Sequence, residues 1–114
     1  MDFQKLQQQL VEDEGCVYEI YLDHLGLPTF GIGHLVKEDD DEKFLPVGSP
    51  VAKSRVDECF EQDTNSAIKD CESLFDNFQE LPETIQLVVV NMMFNLGKPR
   101  LSGFKKMIKA VNSE

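Results

Sequence analysis

The spacing of hydrophobic residues changes from helical to strand-like and back to helical along this chain of 114 residues. Near the N-terminus, apolar side chains recur every three to four positions, which predicts an amphipathic helix over Asp2–Asp13. Its apolar stripe consists of Phe3, Leu6, Leu10 and Val11. Gly15 occupies the position where a left-handed residue would end this helix, so Glu14 falls in the last turn.

The next segment is predicted to form antiparallel strands. Residues Val17–Leu22 are rich in aromatic and branched side chains, and turn-forming residues follow at positions 23–26. A second strand is predicted over Pro28–Val36, and it contains Gly31 and Gly33. Glycine inside a strand indicates a bend or the close approach of another group.

Two irregular segments follow the predicted strands. The acidic run within Lys37–Lys43 lacks the alternating ligands and the glycine of a calcium-binding loop, so we expect a solvated loop. Residues Phe44–Pro50 contain two prolines and a glycine, a composition typical of a connecting segment.

The remainder of the chain is predicted to be helical. Apolar residues at helical spacing mark a long helix over residues 54–75. A second helix is predicted from Pro82 to Leu96 with Gly97 at its end, and a third begins near Ser102. This order of elements predicts an α+β fold in one domain spanning residues 1–114.

Composition and charge exclude several classes of function. The formal net charge is −10, from 21 acidic and 11 basic residues, so a nucleic-acid partner is not expected. The cysteines Cys16, Cys59 and Cys71 have no metal-binding spacing, and we expect no metal and no other cofactor. The longest apolar run is too short to cross a bilayer, so no stable membrane insertion is expected. No secretory signal is visible at the N-terminus.

Two carboxylates flank the glycine-containing hairpin and suggest chemistry. Glu14 ends the first helix, and Asp23 lies where the first strand runs into its turn. Such an arrangement can place two acids on opposite walls of a groove, as hydrolysis of a glycosidic bond requires. Taken alone, Glu14 is better interpreted as one more surface acid on an acidic protein.

The sequence resembles the bacteriophage-type lysozymes, the muramidase endolysins, over nearly its whole length. The resemblance rests on Asp13-Glu14-Gly15, Tyr21, Asp23, Thr29-Phe30-Gly31-Ile32-Gly33-His34-Leu35, Phe60-Glu61-Gln62-Asp63, Asn91-Met92-Met93-Phe94-Asn95-Leu96-Gly97 and Gly103-Phe104. It implies a lysozyme-like α+β fold with a small β lobe over residues 16–50. Residues 1–15 and 54–114 would form the helical lobe.

The resemblance also implies a reaction. Enzymes of this family cleave the β-1,4 bond between N-acetylmuramic acid and N-acetylglucosamine in peptidoglycan, with inversion. Glu14 would then protonate the glycosidic oxygen. Asp23 would activate or steer a water, or stabilise positive charge on the sugar, and Thr29 would help to hold that water. Inverting carboxylates stand about 6.5–9.5 Å apart to admit the water.

Further residues take roles by the same resemblance. His34 would pair with Asp63 on the long helix in a structural role, and Gly31 and Gly33 would also be structural. Leu35 and Phe94 match positions that line the substrate groove. Both could instead be core residues, and for Phe94 the two interpretations carry about equal weight.

Asn91 and Asn95, four positions apart on one helix, can hydrogen-bond the acetamido group of a sugar. The contact is expected from Asn95, and a structural role is expected for Asn91.

The chain departs from the family pattern in three ways. It is acidic where the family is usually basic, and the segment between His34 and Ser54 is shorter than in the best-known members. It also ends near the third helix, so we expect a form shortened at the C-terminus with an incomplete helical lobe. These departures keep an alternative open, a catalytically weak lysozyme-like module that binds sugars or other proteins.

The expected partners and compartment follow from the enzymatic interpretation. The partner would be the glycan strands of peptidoglycan, and the chain would act as a monomer. Unpaired cysteines and the absence of a visible signal indicate synthesis in the cytoplasm of a bacterial host. The protein would reach the wall after a separate factor has permeabilised the membrane.

Overall fold

The computed structural model describes residues 2–113 and shows an α+β arrangement, which confirms the predicted fold class. The elements in chain order are α1 (Phe3–Glu14), β1 (Val17–Leu22), β2 (Pro28–Gly31), β3 (His34–Leu35), α2 (Lys53–Leu74), α3 (Glu83–Leu96), α4 (Lys98–Leu101) and α5 (Lys105–Asn112). Short 3₁₀ turns lie at Asp41–Phe44 and Phe78–Glu80.

The chain divides into two compact units. The first spans Gln7–Gln62 and contains most of α1, the sheet and the first half of α2. The second joins the residues up to Leu6 with those from Asp63 onward. The single-domain assignment made from the sequence stays a prediction.

The sheet has three antiparallel strands in the order β1-β2-β3. The predicted single strand over Pro28–Val36 is wrong, because residues 32 and 33 form a turn that separates β2 from β3. Gly31 (φ +65°) and Gly33 (φ +62°) have the left-handed conformation that this reversal needs. In the resulting register, Thr29 lies between Tyr21 of β1 and Leu35 of β3.

The free edge of β1 is covered by the segment that the sequence predicted to be a simple connection. The Ile20 N–H donates to Ser49 O at 2.9 Å, and the Gly48 N–H donates to Ile20 O at 2.7 Å. The Val51 N–H donates to Tyr18 O at 2.9 Å. The two prolines therefore flank a strand-like stretch that pairs with the sheet.

The first half of α2 packs closely on the sheet at Gly31. A Cβ at position 31 would lie 3.0 Å from Val56 Cγ1, so only glycine admits this contact without movement. The apolar core of this unit is buried and consists of Leu10, Ile20, Phe30, Ile32, Val51, Val56, Cys59 and Phe60. Burial of each large apolar side chain contributes roughly 1.5–3 kcal/mol, so this core positions the sheet against the helix.

The second unit is helical. Its buried apolar residues are Leu6, Ala67, Cys71, Phe75, Phe78, Leu87, Val89, Val90, Met93 and Leu101. Pro82 precedes α3 and Gly97 (φ +77°) ends it, as predicted. The sequence did not predict α4, and α5 begins at Lys105 rather than near Ser102. No helix among the described residues is both long and apolar enough to cross a membrane.

Candidate active site

Glu14 is the last residue of α1, and its side chain lies against the β2–β3 turn. Gly15 (φ +76°) ends the helix, and its N–H donates to Val11 O at 2.7 Å. The Glu14 Oε2 atom lies 3.1 Å from the point where a Cβ of Gly33 would be. The residue is exposed, so a ligand can reach its carboxyl group.

Asp23 is held in the β1–β2 turn by its own backbone surroundings. Its Oδ1 accepts the Leu25 N–H at 2.8 Å and the Leu27 N–H at 2.9 Å. The pKa of Asp23 is lowered, chiefly by the hydrogen bond from the Leu27 N–H. The hydrogen bond from Leu25 and the charge of His24 act in the same direction, and together these effects outweigh desolvation, which raises the pKa. Asp23 is therefore an ionised carboxylate with a fixed orientation at neutral pH.

Thr29 is buried and shares a backbone partner with Asp23. Its Oγ1 donates to Leu27 O at 3.0 Å, and the same oxygen accepts the Asp23 N–H at 3.0 Å. Leu27 thus orients both predicted site residues through its main chain. Because the hydroxyl proton is donated to Leu27, the lone pairs of Thr29 remain to accept a hydrogen bond.

The phenol of Tyr21 is influenced by the charges of both predicted carboxylates. Burial, together with the negative charges of Glu14 and Asp23, raises the pKa of the Tyr21 phenol. The sequence assigned no role to Tyr21. The sequence signal that could have identified it is its position two residues before Asp23, and the structure places it opposite Thr29 in the β1–β2 register.

His34 is buried in β3, and the structure gives it a partner that the sequence did not predict. Its Nε2 lies 2.8 Å from Asp40 Oδ2, and its ring contacts Phe30 with centroids 4.9 Å apart. The pairing with Asp63 predicted from the resemblance stays a prediction.

The acidic run after β3 is solvated only in part, which corrects the expectation of a solvated loop: Asp39 and Asp41 are exposed, but two other carboxylates are not. Glu42 is buried and the Asp40 side chain is only 11% exposed, because Arg55 of α2 supplies the opposite charge. The sequence contains an arginine downstream of an acidic run, but a separation of fifteen positions from Asp40 forms no local pattern that predicts the pairing.

The other predicted substrate contacts divide between the two units. Leu35 is exposed on β3 beside Thr29. Phe94 and Asn95 lie on α3 in the helical unit, as does Asn91. The Asn95 Nδ2 atom donates to Asn91 O and to Asn91 Oδ1, both at 2.9 Å. Within residues 2–113, no cluster of three or more His, Cys, Asp or Glu side chains could hold a metal ion.

An ionised aspartate and an accessible glutamate beside a hairpin are residues of the type that glycoside hydrolases use as acid and base. Comparison with known proteins identifies the family to which the chain belongs. The model of the phage lysozyme family matches residues 11–114, and the chain belongs to this family of glycoside hydrolases.

Two curated relatives come from Dictyostelium discoideum. The protein named probable T4-type lysozyme 2 is 30% identical over 128 residues, which cover 96% of this chain and 75% of the relative. Probable T4-type lysozyme 1 is 27% identical over 131 residues, with the same coverage of 96% and 75%. The first aligned span is longer than this chain of 114 residues, so the relative contains positions with no counterpart here.

Proposed function

We propose that this protein hydrolyses the β-1,4 bond between N-acetylmuramic acid and N-acetylglucosamine in peptidoglycan, with inversion at the anomeric carbon. The observation that supports the proposal is the pair formed by Glu14 and Asp23. One carboxyl group is exposed against the Gly33 turn, the other is fixed by two backbone N–H groups, and both act electrostatically on Tyr21.

In this proposal Glu14 is the general acid. Its side chain is exposed at the end of α1, so a glycosidic oxygen can approach its carboxyl group. Donation of the proton to that oxygen assists departure of the leaving sugar. Contact with Gly33 limits the orientations that the side chain adopts.

Asp23 and Thr29 act on the opposite face of the sugar. The ionised Asp23 activates or steers a water, or stabilises the positive charge that develops on the ring. Thr29 accepts a hydrogen bond from that water, because its own proton is donated to Leu27 O at 3.0 Å.

Further contacts with the glycan are proposed for the remaining predicted residues, each considered within its own unit. In the sheet unit, Leu35 offers an exposed apolar surface to a sugar ring. In the helical unit, Phe94 of α3 is the proposed apolar contact. Because the Asn95 amide nitrogen donates to Asn91, its carbonyl oxygen is the atom that accepts from an acetamido N–H. His34, Asp63 and the two glycines of the hairpin support the site without touching the sugar.

The biological use we propose is lysis of bacteria. The protein would be made as a monomer in the cytoplasm of a bacterial host and would reach peptidoglycan after a separate factor permeabilises the membrane. The family match and the names of the two relatives support a lytic enzyme. The net charge of −10 opposes nucleic-acid binding.

A clearing assay tests the enzymatic proposal. Wild type is expected to reduce the turbidity of Gram-negative cells with permeabilised outer membranes, and Glu14→Gln is expected to abolish clearing. Glu12→Gln removes an exposed acid from the same helix and should clear like wild type. Equal clearing by wild type and Glu14→Gln would refute the proposal. If both proteins sediment with purified sacculi and neither clears, the sugar-binding alternative is supported.

The stereochemistry of the product tests the inverting mechanism. Proton NMR of a muropeptide oligomer during early turnover should show the α-anomer of the new reducing end first, before mutarotation. An initial β-anomer would indicate a covalent intermediate and would exclude the role given to the water at Asp23.

A further inference from the structure

We infer that Arg55 is a positioning residue for the general acid, because it holds, through Asp40 and His34, the turn against which the Glu14 carboxylate rests. The inference deepens the proposed function and rests on it. Arg55 lies near the start of α2 and does not belong to the sequence motif that carries the family resemblance.

Arg55 is the centre of a network of carboxylates. Its Nε and Nη2 atoms donate to the two oxygens of Glu42 at 2.9 and 3.0 Å. Its Nη2 also donates to Asp40 Oδ1 at 3.0 Å, and its Nη1 donates to Glu58 Oε1 at 2.5 Å. The guanidinium side chain is 22% exposed, so solvent screens these contacts only in part. A planar fork that serves three carboxylates at once is a property of arginine that lysine does not share.

Asp40 connects Arg55 of α2 to His34 of the sheet. Its Oδ2 accepts from the Lys37 N–H at 2.8 Å and lies 2.8 Å from His34 Nε2. Burial opposes ionisation of Asp40, but the hydrogen bonds from Lys37 and His34 and the charge of Arg55 lower its pKa. Because the carboxylate is then ionised and can only accept, His34 Nε2 is the donor.

His34 in turn fixes the turn beneath the acid. It pairs with Phe30 in the β2–β3 ladder, and the residue before it is Gly33. Gly33 has no side chain, so the Glu14 carboxylate lies next to its backbone. Glu14 Oε2 is 3.1 Å from the position that a Cβ of residue 33 would occupy. A shift of the β2–β3 turn therefore moves the surface on which the Glu14 carboxylate rests.

Substitution of Arg55 by a neutral residue would remove the ion pairs that it forms with Asp40 and Glu42. Asp40 and Glu42 lie two residues apart in an acidic run and would be left partly buried without a cation. A partly buried carboxylate that loses its cation is destabilised by desolvation, which favours its movement toward water. Asp40 would then leave His34 Nε2, and the polar connection that runs from the Gly33 turn through His34 and Asp40 to Arg55 would be broken.

Kinetics of matched variants test the role in catalysis. Arg55→Gln should lower kcat about tenfold while KM for peptidoglycan changes less than about threefold, because misplacing a reacting group by a fraction of an ångström has effects of this size. Arg55→Lys keeps the charge without the fork and should recover part of kcat. Glu58→Gln removes the exposed partner of Arg55 on α2 and should keep wild-type kcat. All rates are measured below the onset of unfolding of the least stable variant.

NMR provides a readout that does not depend on turnover. Arg55→Gln should shift the amide resonance of Gly33 and the carboxyl ¹³C resonance of Glu14, and Glu58→Gln should leave both in place. If Arg55→Gln leaves both resonances at their wild-type positions, the inference is overturned whether or not the protein hydrolyses peptidoglycan. If the resonances move while wild type shows no activity, the positioning network stands and the proposed function fails. If Arg55→Gln does not fold, the same comparison is made with Arg55→Lys, which retains the cation.

Discussion

The side chain of Glu14, at the end of α1, occupies the space beside Gly33 where a side chain of residue 33 would begin. Three atoms of the Glu14 side chain, Oε2, Cγ and Cβ, lie 3.1, 3.3 and 3.4 Å from the position that a Cβ on residue 33 would occupy. The glycine at this position therefore serves two purposes. It allows the positive φ of the turn, and it leaves room for the proposed acid.

The first prediction concerns this contact. Gly33→Ala is expected to lower kcat by at least about tenfold, because the new methyl group must displace the Glu14 carboxylate. Gly48→Ala is the matched control, since Gly48 also has a positive φ (+92°) but no atom within 4 Å of its missing Cβ. Both variants should lose about 1–2 kcal/mol of unfolding free energy from backbone strain. Wild-type kcat in Gly33→Ala would show that the contact does not position the acid.

The second prediction concerns the ionisation of Asp23. The Leu27 N–H is the largest cause of its lowered pKa, so Leu27→Pro should raise that pKa toward the usual value of about 3.9. Leu27→Ala keeps the N–H and should leave the titration unchanged. The midpoint is read from the carboxyl ¹³C shift of Asp23. In wild type it should lie below about 3.9, and the acid limb of kcat/KM should move to higher pH in Leu27→Pro. A midpoint above 3.9 in wild type would contradict the geometry described above.

The sequence predicted the elements whose pattern is local. Strand β1 has the predicted limits Val17–Leu22, and α3 lies between the predicted Pro82 and Gly97. These elements are set by β-branched and apolar spacing, by proline at the start of a helix and by glycine at its end.

The sequence failed where long-range contacts decide the structure. Periodicity could not divide Pro28–Val36 into two strands, because the reversal depends on two glycines with positive φ whose conformation a pattern does not reveal. It also could not show that Asp40 is held by Arg55, fifteen positions away. The position of Glu14 in the last helical turn could be predicted from Gly15, but its approach to Gly33 depends on how the hairpin packs against α1.

The third prediction concerns the Thr29 hydroxyl. Thr29→Val removes the hydroxyl from a buried position with little change in volume, and kcat is expected to fall at least about tenfold if this group holds the water. The Leu27 carbonyl keeps the Asp23 N–H as a donor, so the loss of stability should be only about 1 kcal/mol. Thr29→Ser restores the hydroxyl and should restore most of the activity. Equal rates for Thr29→Val and wild type would remove Thr29 from the mechanism.

The fourth prediction concerns stability in acid. The pKa of Asp40 is lowered in the folded protein, so its contribution to stability is present above the unfolded value of about 3.9 and is lost as the pH falls through the folded value. Asp40→Asn should therefore reduce the unfolding free energy at pH 7 by about 1–3 kcal/mol, and the difference from wild type should shrink below about pH 4. Asp39→Asn changes the neighbouring exposed acid and should follow the wild-type curve at every pH. Urea unfolding between pH 3 and 7 measures all three curves. A difference between wild type and Asp40→Asn that grows as the pH falls would have the wrong sign for a carboxylate stabilised by His34 and Arg55, and would show that this network does not exist in solution.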